Sequence, residues 1–306
     1  AIGYIIGGEN QGLSGMFTMM NLARLMVGLQ GVAITERAYQ QALSYAKDRV
    51  QGSHKNGSGI PSPMHIIQHP DVKRMLLDMK CIAQAGRCLT IYAAYCIDLS
   101  KRHKDAAMRQ KFSDRLSLLT PVVKAWITDK AIDCANTGIQ IHGGPGYIEE
   151  TGAAQHLRDA RIMAIYEGTN GIQANDLVGR KIVRESGMSI LELINEMQKD
   201  LLNLKVTNEE DLTAILLATQ NSINDLGSAV DWIIDAAPDN PDGVSAGAAA
   251  FLEISGTAIC GWLMAKCAID AQNLLDHGGG QRDALKGRIL SARHFAETVL
   301  PHTAAE

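Results

Sequence analysis

From about Met16 to Gln51 the chain carries no proline, and its polar and apolar positions follow a helical period throughout. Leu22, Leu25, Met26, Leu29, Val32 and Ala33 fall on one face, so the stretch reads as one long helix. A second long helix is predicted from Pro70 to about His103, with the proline near its first turn, where a missing N–H costs nothing. A third is predicted from about Phe112 to Ile141, with Pro121 marking either a kink or a true start near Thr120. Residues 1–15 read as a short strand and turn, and Ser53 to Pro63 as a mobile loop rich in Gly, Ser and Pro. Long helices joined by polar loops define an all-α fold, an antiparallel helical bundle. Abundant Ala, Leu, Ile and Met, with only 5% aromatic residues, agree with helix over sheet.

Beyond Gly187 the pattern is helix after helix: 190–204, 211–236, 243–276 and 282–299. Small residues crowd 245–258, which lets that helix approach a neighbour closely. No chemical constellation occurs there. The chain therefore divides into a bundle, residues 1–185, and a helical extension, residues 186–306.

At 306 residues the chain can bury a large core. A net charge of −4 implies no general attraction to nucleic acid or to an anionic membrane surface. No run of about twenty apolar residues is legible as a membrane span, and no signal peptide is visible. Six cysteines include no CxxC pair; Cys81, Cys88 and Cys96 share a helix face and read as core residues of a reduced, cytoplasmic protein. The opening at Ala1, without methionine, is expected of a piece of a longer enzyme.

Chemistry concentrates between Gln140 and Arg180. Gly143-Gly144-Pro145-Gly146 is a turn where backbone can approach a ligand closely, although such a turn also simply ends a helix. Glu167 follows among apolar and small neighbours, and a helix starts behind it. Asn170 with Gln173 fits a capping box, and Thr169 is an equally good first-turn hydroxyl. A helix start favours anions, so Glu167 has a structural reading as a charge placed at a helix dipole. The combination predicts an anion seat and one carboxylate side by side.

Three pieces in this order, Gln140-Ile141-His142-Gly143-Gly144-Pro145-Gly146-Tyr147, Arg158-Asp159-Ala160-Arg161-Ile162 and Ile165-Tyr166-Glu167-Gly168-Thr169-Asn170, resemble the C-terminal domain of the acyl-CoA dehydrogenases. The resemblance covers about residues 1–185. The part after 185 resembles the helical extension of a long subgroup, the methylmercaptopropionyl-CoA dehydrogenase-like enzymes. It implies α,β-desaturation of an acyl-CoA thioester with FAD as cofactor. That chemistry needs a base for the α proton, desolvated enough to have its pKa raised toward neutrality, and a hydride acceptor that no side chain supplies.

Carried over residue by residue, the resemblance makes Glu167 the general base, its backbone N–H polarising the substrate carbonyl. Ala23 occupies the position from which other members supply the base, and it has no proton-accepting group. Arg49 is similar to the arginine that reaches the FAD pyrophosphate of a neighbouring subunit, with Gln51 close by; a cation at a helix C-terminus is its other reading. Gln140, Gly143 and Gly144 match the segment meeting the adenosine half of FAD across a dimer. Thr169 matches a contact to FAD within the same subunit. Two residues on, the family often has Gln or Glu where this chain has Gly171. Asn21 and Arg24 match the pair meeting the CoA portion, although the first is commonly acidic in the family, and Tyr166 and Gly168 would line the thioester channel. The partners implied are an acyl-CoA, a second copy in a homodimer or homotetramer, and electron transfer flavoprotein as acceptor. N-terminal helical and middle β domains would precede this region.

Two other classes remain in view. A di-iron bundle would need paired Glu-x-x-His helices; the chain has none, its nine histidines are scattered, and no metal is expected. A non-catalytic oligomerisation or partner-binding module would suit the long bundle and the extension.

Overall fold

The computed structural model describes residues 2–55, 61–203 and 209–305. Three long helices form the frame: α1 (Gly12–Asp48), α2 (Pro70–Arg102) and α3 (Ala106–His142), packed mutually. A two-stranded antiparallel hairpin, β1 (Val50–Lys55) and β2 (Pro61–His65), joins α1 to α2. Then come a turn of helix α4 (Gly144–Tyr147), α5 (Ala153–Met163) and α6 (Asn170–Asn175), which continues as a π-helix over Asp176–Val183. The rest is α7 (Met188–Asn203), α8 (Glu210–Ala236), α9 (Pro241–Ala246), α10 (Ala248–Asp276), α11 (Arg282–Thr298) and a 3-10 turn, Leu300–Ala304.

The all-α bundle stands, with local corrections. Residues 2–10 form no strand, and α1 already begins at Gly12. It stops at Asp48 because the chain turns extended at Arg49, whose N–H bonds the Tyr45 carbonyl. The expected loop at 53–63 is largely hairpin, paired from Val50–His65 to Lys55–Pro61; residues 56–60, where mobility was expected, lie outside the described residues. Pro121 neither starts nor ends α3. Leu118 to Thr128 are buried without a break, and burying several large side chains at about 1.5–3 kcal/mol each exceeds the ~3 kcal/mol cost of an internal proline. The predicted helix 243–276 is two helices, broken at Gly247.

The face of α1 that periodicity selects is split: Val32 is buried and Leu25 packs on the core, but much of the rest faces outward. Leu22, Met26 and Leu29 are about half exposed, whereas Arg24, Val27, Gly28, Val32, Thr35 and Ala38 turn inward. The reason is close packing: a Cβ on Gly28 would lie 2.7 Å from the Val123 carbonyl oxygen. The exposed strip joins Ile91 and Ala94 of α2 along a shallow apolar groove of about 260 Å³.

One apolar core runs from Val32 and Leu89 through Trp126 to Phe295, so the extension packs onto the bundle. α10 is its central rod and contacts α2, α3, α8 and α11. It crosses α3 where Gly256 faces the Trp126 ring and Trp126 Nε1 donates to Thr257 Oγ1 at 3.1 Å. Fully buried Arg115 ties α3 to α7, donating to Glu196 at 3.2 Å and to Tyr92 Oη at 2.6 Å. By length and composition alone α1 and α10 are long and apolar enough to cross a membrane; α10 uses that apolar surface inside the core.

Candidate active site

α5 ends at Met163, and the chain must reverse to enter α6. It does so through two consecutive left-handed residues, Glu167 at φ 56° and Gly168 at φ 85°. The conformation is ordinary for glycine and strained for glutamate, which persists only where the surroundings hold it. Lys124, fully buried on α3, does the holding: its Nζ donates to the Gly168 carbonyl at 2.9 Å and to Asn170 Oδ1 at 2.7 Å. Asn170 Nδ2 in turn donates to Asp129 Oδ1 at 2.7 Å and Thr128 Oγ1 at 2.9 Å. Asn170 is therefore a clamp, and Thr169 is the N-cap, accepting from the Ile172 N–H at 3.3 Å. Burial pushes the Lys124 ammonium down to about 8; Arg24 pushes the same way, and Asp129 and Glu167 pull back up.

From the other side α1 closes on the turn. Arg24 is buried beside Gly168 and donates to Asn21 Oδ1 at 3.3 Å. Tyr166 packs against the cluster of Val27, Ala131, Ala160 and Met163, and its hydroxyl donates to Gln30. Arg24 Nε and Gln173 Oε1 are buried without a hydrogen-bond partner among the described residues. Asn21, Arg24, Tyr166, Glu167, Gly168 and Thr169 thus meet in one place. Glu167 itself is half-buried, less enclosed than its chemistry was expected to need, and among the described residues its carboxylate enters no hydrogen bond or ion pair.

The remaining expected residues gather elsewhere. Arg49, Gln51, Gln140, Gly143 and Gly144 line a recess of about 580 Å³ between the end of α1 and the end of α3. Tyr45 and His142 stack in it with ring centroids 4.4 Å apart. His69 Nε2 donates to the Gln51 carbonyl at 2.9 Å, and His142 Nδ1 to the Gly138 carbonyl at 2.7 Å. A Cβ on Gly143 or Gly144 would meet no atom within 4 Å, so open space lies against that backbone. A guanidinium, two side-chain amides, bare backbone and a stacked ring pair suit a phosphate-bearing aromatic nucleotide.

The two clusters do not share a cleft. Lys124, under the Glu167 turn, and Gly143 lie nineteen positions apart on α3, roughly 28 Å at the helical rise; Arg24 and Arg49 on α1 are roughly 37 Å apart. The helix start expected to seat an anion does adjoin Glu167, at Thr169; it is the Gly143–Gly146 turn, which the sequence had grouped with it, that lies at the far end of α3. The sequence pattern also missed Lys124, Tyr45 and His69. The one signal for Lys124 was a lone cation in the apolar run from Leu118 to Ile127.

Comparison with known proteins shows the family. The family profile described as acyl-CoA dehydrogenase, C-terminal domain, matches residues 10–182, and that described as acetyl-CoA dehydrogenase C-terminal like matches residues 193–306. The chain belongs to the acyl-CoA dehydrogenase family. It is 41% identical to a 3-methylmercaptopropionyl-CoA dehydrogenase of Ruegeria pomeroyi over 100% of this chain and 51% of that protein. It is 32% identical to the broad-specificity linear acyl-CoA dehydrogenase FadE5 of Mycobacterium tuberculosis over 98% of this chain and 51% of that one. The chain spans about half the length of these relatives. Among solved structures, an acyl-CoA dehydrogenase of Bacillus anthracis complexed with FAD has a TM-score of 0.72 at 17% identity, over 96% of this chain and 49% of that one; it shares the fold.

Proposed function

We propose that the complete protein is a FAD-dependent acyl-CoA dehydrogenase that desaturates an acyl-CoA thioester between its α and β carbons, with Glu167 as the base. The observation that carries this reading is the Glu167 turn. An otherwise uncommitted carboxylate is held in a left-handed conformation by a buried lysine, beside Asn21, Arg24 and Tyr166. Glu167 would take the α proton on a carboxylate oxygen, and its backbone N–H would face the thioester carbonyl. Arg24 and Asn21 would meet the CoA portion, with Tyr166 and Gly168 along the channel. FAD, when bound, supplies the hydride acceptor.

The half-buried state of Glu167 and the exposed apolar strip of α1 and α2 support a larger assembly that covers both. The separation of the two clusters supports a cofactor shared between copies. Thr169 would serve the flavin half within one subunit. Arg49, Gln51, Gln140, Gly143 and Gly144 would hold the adenosine half belonging to another, in a homodimer or homotetramer. Electron transfer flavoprotein is the acceptor this reading assigns, and a cytoplasmic setting suits the six free thiols. Residues 186–306 pack onto the bundle through the shared core and take no part in the desaturation in this reading.

Replacing Glu167 by Gln in the complete protein keeps the side chain's shape and removes its basicity. Acyl-CoA oxidation with a dye acceptor should fall about a thousandfold or more while FAD content is unchanged. Activity close to wild type would remove the assignment.

A further inference from the structure

Cys88 on α2 and Cys267 on α10 face each other with sulfur atoms 3.8 Å apart. The sequence placed Cys88 with core residues, but it is half-buried, as is Cys267; the other four cysteines are buried. Both thiols open onto a recess of about 390 Å³ whose rim carries Gln84, Arg87 and Arg288. A disulfide needs a separation near 2.05 Å, so about 1.8 Å of sulfur travel would join the two.

Their electrostatics are unequal. Cys267 is held below the ordinary thiol range, first by the S–H···S contact with Cys88, with Arg288 and Lys266 assisting against burial and Asp270. Cys88 is pushed well up by the same contact and by burial. Burial raises Cys81 to about 12 and Cys96 to about 11, and it raises Cys134 and Cys260 as well. Thiolate character and access together decide which cysteine reacts with an electrophile. Here both coincide at one position, with a second thiol already in contact to finish the reaction.

We propose that Cys88 and Cys267 form a peroxide-reactive thiol pair, in which Cys267 attacks a hydroperoxide and Cys88 then closes a disulfide that staples α10 of the extension to α2 of the bundle. In the first step the Cys267 sulfur bonds the terminal peroxide oxygen, the O–O bond breaks, and the departing oxygen takes a proton to leave as water or an alcohol. The product is a sulfenic acid on Cys267. In the second step the Cys88 sulfur attacks the Cys267 sulfur, the S–O bond breaks, and hydroxide leaves with the Cys88 proton as water. Two thiols have then given two electrons to the peroxide bond. Arg288 on the rim favours a thiolate at Cys267, while the Arg87 guanidinium beside it is ion-paired with Glu36 at 3.0 Å. The staple joins positions 179 residues apart and is independent of the dehydrogenase reading.

The test uses the complete, reduced protein. It is exposed to graded hydrogen peroxide, quenched with a thiol alkylator, digested without reduction and analysed by mass spectrometry. A linked peptide pair containing Cys88 and Cys267, lighter by two hydrogens and reversed by dithiothreitol, should form at least about tenfold faster than oxidation of Cys81, Cys96, Cys134 or Cys260. Cys88→Ser should leave a dimedone-trappable sulfenic acid on Cys267. Cys267→Ser should leave Cys88 reduced at the same dose. The proposal is overturned if Cys267 stays reduced where free cysteine in solution is oxidised, if Cys88 oxidises at the wild-type rate in the Cys267→Ser protein, or if either thiol pairs with any other cysteine.

Discussion

Lys124→Met is the perturbation that tests how the Glu167 turn is held. The substitution keeps an unbranched side chain of similar length and removes the charge. Two charge-assisted bonds are lost, at 2.9 Å to the Gly168 carbonyl and 2.7 Å to Asn170 Oδ1, worth together about 3–6 kcal/mol. Opposing this, burial has moved the ammonium from 10.5 to about 8, and at about 1.36 kcal/mol per unit that penalty is on the order of 3 kcal/mol near neutral pH. The two effects largely cancel, so global stability should drop by only about 0–3 kcal/mol. The turn itself loses its support, and amide exchange over residues 166–170 should accelerate by about tenfold or more.

The pH dependence fixes the sign. Between about 8 and 10.5 the folded protein releases the Lys124 proton while the unfolded chain keeps it, so the unfolded state binds more protons and stability rises with pH. Methionine has no proton to release. The stability of wild type relative to Lys124→Met should therefore grow by on the order of 2–3 kcal/mol from pH 7 to pH 10, read from denaturant melts of both proteins. Groups not coupled to Lys124 titrate alike in the two and cancel, and its partner Asp129 titrates below this window. A flat or shrinking difference would mean that the lysine is effectively solvated, and unchanged exchange at 166–170 would mean that it does not hold the turn.

Other outcomes follow from single contacts. Gly256→Ala would place a Cβ 2.3 Å from the buried Trp126 ring, and should destabilise by about 1–3 kcal/mol in thermal melts; Gly227→Ala, where a Cβ meets nothing within 4 Å, should not destabilise. Arg49→Met should lower the FAD content of the purified complete protein, measured by its visible absorbance, with the melting temperature nearly unchanged.

The helical frame was legible because periods over thirty or more residues leave little choice of element. Which face of α1 turns inward was not legible. Hydrophobicity favours Leu22, Met26 and Leu29, whereas the packed face is built from Gly28, Gly31 and Thr35, whose value is the close approach they allow. The hairpin was hidden by loop-like composition, since Gly and Ser sit inside β1 and Pro and Ser make up most of β2. Within the site, Glu167 could be named from local pattern, and Arg24 and Asn21 from the family resemblance, and the structure brings them together. Lys124 could not, because a lysine in an apolar run usually extends its ammonium to solvent. That it stays inside depends on a carbonyl and an amide 44 and 46 residues away. The distance between the carboxylate and the nucleotide recess was equally invisible, because sequence adjacency says nothing of how far α3 and α5 carry the chain.

α1 also acts as a gauge block. Arg24 and Arg49 belong to different clusters, and the spacing between them is set by uninterrupted backbone rise. Inserting one residue between them would lengthen the span by about 1.5 Å and swing everything beyond it through about 100°, turning Arg49 off the wall of its recess. Between these two arginines the helix therefore tolerates substitution but not a change of length.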